Sequence, residues 1–147
     1  MPSFASIIIA ALASLLFAGS ASAGWTQSCR NSCIGAATPN ILVTECLVSG
    51  GANGNPNDQN YEWAEFDLNQ VLEYAVPFLV YQQDGDFATK GPCSACSVTS
   101  GKLKCVCGTG TVPTLDLDTW MSDATGVLCF ANSAFGPTCG KATSSRC

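Results

Sequence analysis

Ten cysteines, all between residues 29 and 147, limit what this chain can fold into more than any other feature. They are Cys29, Cys33, Cys46, Cys93, Cys96, Cys105, Cys107, Cys129, Cys139 and Cys147. Their number is even, and they follow a segment that reads as an export signal. Ile7 to Phe17 is an apolar run of signal-peptide length, too short to span a bilayer as a helix. Ala21-Ser22-Ala23 then gives the small-x-small pattern that signal peptidase accepts. No Lys or Arg precedes the run, which leaves an uncleaved anchor as the rival reading. Cleavage would place residues 1–23 outside the mature protein and leave 124 residues from Gly24, enough for one domain with a core. The expected product is secreted and extracellular, without membrane insertion, and its thiols are expected to be oxidised.

Other uses of the cysteines fit less well. Cys93-x2-Cys96 with Cys105-x-Cys107 has a passing likeness to a zinc ribbon, but the chain has no histidine and zinc thiolate sites are mostly intracellular. A redox Cys-x-x-Cys would need a βαβ context that is not there. No metal and no cofactor is expected. The net charge is −5, from 11 acidic and six basic residues, all of them after residue 23. Nucleic-acid binding depends on neutralising phosphates with Lys and Arg, so this balance argues against it. It argues equally against attraction to anionic membranes.

Four landmarks recur in the same order. The first set is Cys29, then Ile41-Leu42-Val43-Thr44-Glu45-Cys46, then Phe66-Asp67-Leu68-Asn69, then Phe78-Leu79-Val80-Tyr81. The second is Cys93, then Lys102-Leu103-Lys104-Cys105-Val106-Cys107, then Leu115-Asp116-Leu117-Asp118, then Val127-Leu128-Cys129-Phe130. Two diverged copies of one module, 24–81 and 92–130, are the natural explanation. The offset falls from 64 residues at the first cysteine to 49 at the aspartate, so the first copy carries extra residues. Most of them lie in the turn-forming stretch Ser49 to Asn60, which reads as an exposed loop. Gln82 to Pro92 reads as a hinge or linker, and 131–147 as a tail held by its cysteines.

The alternation in Ile41 to Thr44 and Leu103 to Val106 predicts half-buried strands. Val112 to Leu115 should be extended. Apolar residues at 68, 71, 72 and 75 predict a short helical turn around Leu68 to Tyr74, matched by Asp116 to Ser122. No long amphipathic helix is evident.

Taken together with Trp25-Thr26-Gln27-Ser28-Cys29, these landmarks resemble the cyanovirin-N homology family of lectins, over about Trp25 to Phe130. The resemblance implies a mostly β, disulfide-rich, pseudo-symmetric tandem repeat. Each half would pair a three-stranded sheet with a β-hairpin and short helical turns, and the repeats can swap segments within a monomer or a domain-swapped dimer. It implies the disulfides Cys29–Cys46 and Cys93–Cys107. It also implies metal-independent binding of mannose-rich oligosaccharides, one site per half, and no catalysis. Six cysteines exceed the family pattern and permit 15 pairings. Cys96 and Cys105 lie on facing arms of one predicted hairpin, which favours that pair. Cys129 would hold the tail through Cys139 or Cys147.

Carried over residue by residue, one family site falls on Gln27 and Ser28, on Leu47 to Ser49, and on Asp123 and Thr125. The family's Asn-x-Asp-Gly turn survives there only as Asp123-Ala124-Thr125-Gly126. The other site would use Glu73, the connection Gln82 to Pro92 and the loop after Cys107. Its turn is replaced outright by Tyr74-Ala75-Val76-Pro77. Valine cannot accept a sugar hydroxyl and proline fixes φ, so the first site is the expected binding groove and Glu73 marks a weaker one. Each residue also has a plain structural role open to it. Asp67, Asp116 and Asp118 suit caps of helical turns, and Asp123 and Thr125 suit a turn. Trp25, Trp63 and Trp120 suit either a core or a sugar-stacking face.

The expected function is therefore a secreted carbohydrate-binding protein. The alternative is a secreted disulfide-rich interaction or structural protein that kept the fold and lost glycan binding. A two-carboxylate glycosidase using Asp67, Glu73, Asp116 or Asp118 is disfavoured, because capping explains most of them, the resembled family is not catalytic, and there is no histidine or serine-elbow motif for acid–base work. A small cysteine-rich toxin or surfactant protein would have no need of a repeated Leu-Asp-Leu element.

Overall fold

Cys29 faces Cys46 across an antiparallel strand pair and is bonded to it, and Cys93 stands opposite Cys107 in the same way. The Cα atoms are 4.1 and 4.0 Å apart, so each bridge staples two directly opposed residues. A computed structural model describes residues 24–35, 38–48, 60–90, 92–108, 110–130 and 137–147. Residues 1–23, read above as an export signal, and residues 49–59 and 131–136 lie outside the described residues.

Strands β1 (Cys29–Ile34), β2 (Ile41–Leu47) and β3 (Tyr61–Asp67) form one antiparallel meander. β1 carries a bulge between Arg30 and Cys33, where Asn31 takes φ 51°. The bulge brings the Arg30 carbonyl over β2, where the buried Thr44 hydroxyl donates to it at 2.8 Å. A 3-10 turn, Leu68–Gln70, follows β3, and the hairpin β4 (Leu72–Ala75) and β5 (Phe78–Tyr81) completes this half. The chain then forms β6 (Cys93–Thr99), β7 (Lys102–Cys107) and β8 (Thr114–Asp116), with a bulge in β6 between Ser94 and Ser97. A 3-10 turn, Leu117–Thr119, leads into the hairpin β9 (Met121–Ala124) and β10 (Val127–Phe130).

Asp67 and Asp116 do the same local job. Each sits in extended backbone before its 3-10 turn, and its carboxylate accepts the backbone N–H two residues on at 3.0 Å. Asp118 behaves differently. It accepts both the backbone N–H and the hydroxyl of Thr26, at 3.0 and 2.9 Å, and so fastens the amino-terminal segment to the second half.

The helical reading of residues 68–74 needs correction. Only Leu68–Gln70 is helical, and the chain is already in strand at Leu72. Leu68, Val71 and Leu72 are all buried, but a one-turn helix feeding a strand buries them as well as a longer helix would. Pairing with Phe78–Tyr81 settles the matter, since an isolated helix this short has little stability of its own. The second half repeats the pattern, with Met121 opening a strand.

The two halves interlock. β10 lies against β3, β5 against β8, and β1 against β6. One core runs through them, with Trp25, Phe66, Leu68, Leu72, Phe87, Leu103, Leu117 and Leu128 all essentially sealed from solvent.

Two segments do more than the sequence reading gave them. The connection at 82–90 is no slack linker. Gln82, Asp84 and Asp86 donate backbone N–H groups to Val71, Gln70 and Asn69, and Phe87 plugs into the core at 0% exposure. The Asn69 side chain bonds Ala88 N at 3.0 Å and the Thr89 hydroxyl at 2.9 Å. The tail is woven in. β11 (Thr138–Cys139) pairs with β10, and β12 (Lys141–Ala142) pairs with the outer edge of β3. The disulfides Cys129–Cys139 and Cys33–Cys147 fix both ends of this strap, and Cys96–Cys105 is the fifth bridge.

Candidate functional site

The tip of the β9–β10 hairpin is a two-residue turn in which Thr125 has φ 55° and Gly126 φ 89°. Positive φ at both positions gives the type I′ geometry whose twist matches the flanking strands. Gly126 supplies this freely, whereas Thr125 is β-branched and strained there. The Gly126 N–H donates to Asp123 Oδ1 at 2.9 Å, and the Thr125 hydroxyl donates to its neighbour's carbonyl, Ala124 O, at 2.7 Å. The tip rests on the first half, since a Cβ at residue 126 would lie 2.8 Å from Val48 Cγ2.

Ser28 and Asp123 meet at this place, with Thr125 at the tip and Gln27 next to Ser28 in sequence. Gln27 is exposed on the 3-10 turn Trp25–Gln27, and Ser28 caps that turn, half-buried. The Ser28 hydroxyl reaches the Asp123 carboxylate as well as the Trp25 carbonyl, the latter at 3.3 Å. Thr125 is exposed at the tip, and Ser49 lies outside the described residues. Burial pushes the Asp123 carboxyl above its ordinary value, and the hydrogen bonds from Gly126 and Ser28 oppose this in part. Asp123 also lies within 4.8 Å of the sulfurs of Cys29 and Cys46. Those sulfurs are bonded to each other, so they offer no thiolate to a metal ion. Much of the polar capacity of this groove thus serves the turn itself.

The other hairpin builds a more open concavity. A cleft of about 420 Å³ is lined by Glu73, Tyr74 and Val76 from the hairpin, Gly85, Lys90 and Pro92 from the connection, and Gly108 and Thr111 after β7. The three segments are the ones assigned to the weaker site. Tyr74 Oη and Thr111 Oγ1 share a hydrogen bond of 2.6 Å, which ties the hairpin to the loop after Cys107. Thr111 in turn donates to the Cys107 carbonyl at 2.8 Å. Glu73 is exposed on β4, opposite Val80. Lys90 pairs with Asp86 at 2.8 Å, and this hydrogen bond, with the nearby acidic charges, raises its pKa. The turn Tyr74-Ala75-Val76-Pro77 has a cis Val76–Pro77 peptide; Val76, on the cleft wall, is 78% exposed, and Phe78, which opens β5, is 65% exposed.

The tryptophans divide. Trp25 is core, Trp63 is half-buried on β3, and Trp120 is 46% exposed. Sequence reasoning passed over Lys90 and Thr111 by name, since both lie in stretches read only as connection and loop. Tyr74 was noted as replacing a family turn, with no sign that its hydroxyl would brace the cleft. The sequence matches no family model and no curated protein.

Proposed function

We propose that the protein binds glycans of the mannose-rich type, without a metal, as one pseudo-symmetric lectin-like domain of two diverged copies. The cleft beside Glu73 carries this reading. It is wide enough for a sugar residue or two, and it combines an exposed carboxylate, an ammonium and hydroxyls with apolar walls from Tyr74, Val76 and Pro92. That mixture suits a pyranoside, which presents hydroxyls at its rim and C–H groups on its faces. The interlocked arrangement of β10 on β3 and β5 on β8 also agrees with the resemblance that suggested it. The groove at Gln27, Ser28, Asp123 and Thr125 is the secondary site, because its turn already engages the Asp123 carboxylate and the Thr125 hydroxyl. This reverses the order expected from sequence.

A glycan array probed with oxidised protein 24–147 tests the reading. Binding to mannose-rich glycans should fall at least tenfold with Glu73→Ala and less with Asp123→Ala. Native, disulfide-complete protein that binds nothing on the array would end it. A secreted interaction protein is then the better reading, and the exposed Val76 and Phe78 are the observation in its favour.

A further inference from the structure

At the base of the two hairpins, away from both tips, three aromatic rings form one cluster. Tyr81 ends β5, Trp120 precedes β9 and Phe130 ends β10. The Tyr81 ring lies 5.2 Å from Trp120 and 5.1 Å from Phe130, and Trp120 stacks over Phe130 at 6.3 Å with 25° between planes. Phe130 is buried beneath, at 3% exposure, whereas Trp120 leaves 46% of its surface to solvent. The indole is therefore stacked on Phe130, braced by the tilted Tyr81 ring, and about half exposed to solvent.

The 3-10 turns before the two hairpins close on residues of different burial. The residue that closes the other 3-10 turn is Val71, which is 3% exposed and belongs to the core. Trp120 occupies the corresponding place after Leu117–Thr119 and contributes its ring to the surface instead. Polar groups lie beyond Tyr81, the ring that touches Trp120. The Tyr81 hydroxyl donates to the Asp116 carbonyl at 2.9 Å. Burial, and then the nearby Asp116 charge, push the Tyr81 phenol well above its ordinary value, so it remains an O–H group. Asp116 is exposed, with one carboxylate oxygen capping the turn, and Lys102 stands opposite it across the β7–β8 pair.

We propose that Trp120, seated against Phe130 and Tyr81 and joined to Asp116 through Tyr81, is a stacking platform for a neutral β-linked glucopyranose unit of an oligosaccharide. An indole face takes up a flat patch of C–H groups, and the ring's negative π-face favours their slightly positive hydrogens. A β-glucopyranoside has only axial hydrogens on both faces. An α-mannoside has an axial oxygen on each face, at C1 on one and C2 on the other, and stacks poorly. Asp116 would accept from the equatorial hydroxyls at the ring edge. The site is separate from the Glu73 cleft and takes a different sugar, so it goes beyond the function proposed above.

The test is fluorescence titration of oxidised protein 24–147 with cellohexaose, and with an α-mannose hexasaccharide alongside. Trp120 is the most exposed of the three tryptophans, so bound cellohexaose should shift the emission to the blue. Trp120→Ala should weaken cellohexaose binding at least tenfold and Asp116→Asn severalfold, while Trp120→Phe retains part of it. Circular dichroism and thiol titration establish that each variant is folded and fully bridged. Wild-type protein that ignores cellohexaose overturns the proposal, as does a folded Trp120→Ala variant that binds it unchanged. Loss of mannose binding on the array with cellohexaose binding intact would sink the Glu73 reading alone.

Discussion

Asp123 shows how one side chain can serve a turn at some cost. Its carboxylate bonds Gly126 N–H and Ser28, yet burial still lifts its pKa above the ordinary value of 3.8. A carboxyl raised on folding adds stability below its unfolded pKa, and that contribution disappears as pH rises through the folded value. Asparagine keeps an acceptor for Gly126 without a charge to bury. Asp123→Asn should therefore be neutral or slightly stabilising at pH 7. The difference should shrink as the solution is acidified to pH 3. Thermal unfolding across that range checks it, and a marked loss at pH 7 would show that the carboxylate is needed as such. Residues of this kind were half legible. Asp67 and Asp116 could be read as caps because capping is local in sequence. The tie from Asp118 to Thr26 could not, because it spans 92 positions.

Among elements, the tail strap is the least legible. Thr138–Cys139 and Lys141–Ala142 are too short for any alternation to mark them as strands. Their pairing depends on finding free edges on β10 and β3, which only the assembled sheets provide. Gly140 sits where the strap passes from one edge to the other. Its N–H donates to Leu128 O at 2.8 Å, and a Cβ there would meet Glu65 O at 2.2 Å. Because the obstacle is backbone, no rotamer change relieves it. Gly140→Ala should destabilise the protein by about 2 kcal/mol or more and expose the β3 edge. Hydrogen exchange would show faster amide exchange confined to β3 and the strap. Uniform protection in the variant would mean that the strap adjusts without loss. The hairpins were easier, since alternation survives in β7 as a strict exposed-buried pattern. The connection at 82–90 was not legible as an anchored segment, because Phe87 is its one large apolar residue in a polar run and its other ties are backbone hydrogen bonds to residues 69–72 and bonds to the Asn69 side chain.

For the whole molecule, the sequence order of the landmarks predicted the order of the strands but not how the halves embrace. Contacts such as β10 on β3 join segments about 60 residues apart, and no local pattern encodes them. The disulfides add a second level of connection. Cys96–Cys105 spans nine positions inside a hairpin that Cys93–Cys107 already closes. Cys33–Cys147 spans 114 and joins the first sheet to the far end of the strap. A chain-entropy account gives a loop of that size about 4–5 kcal/mol, reduced where other bridges shorten it. Replacing Cys33 and Cys147 by serine together should lower stability more than replacing Cys96 and Cys105. Denaturant titration of the two double variants compares them directly, and the opposite ranking would contradict the entropic account.

The Cys33–Cys147 bridge also governs what a protease can achieve. Any single cut between those two residues leaves one cysteine of the pair on each fragment. A nicked molecule would therefore travel as one piece until a reductant is added, its sheets still in place and its surfaces still presented. Wherever a protease reaches the chain between these cysteines, a broken backbone would not yet mean a lost molecule.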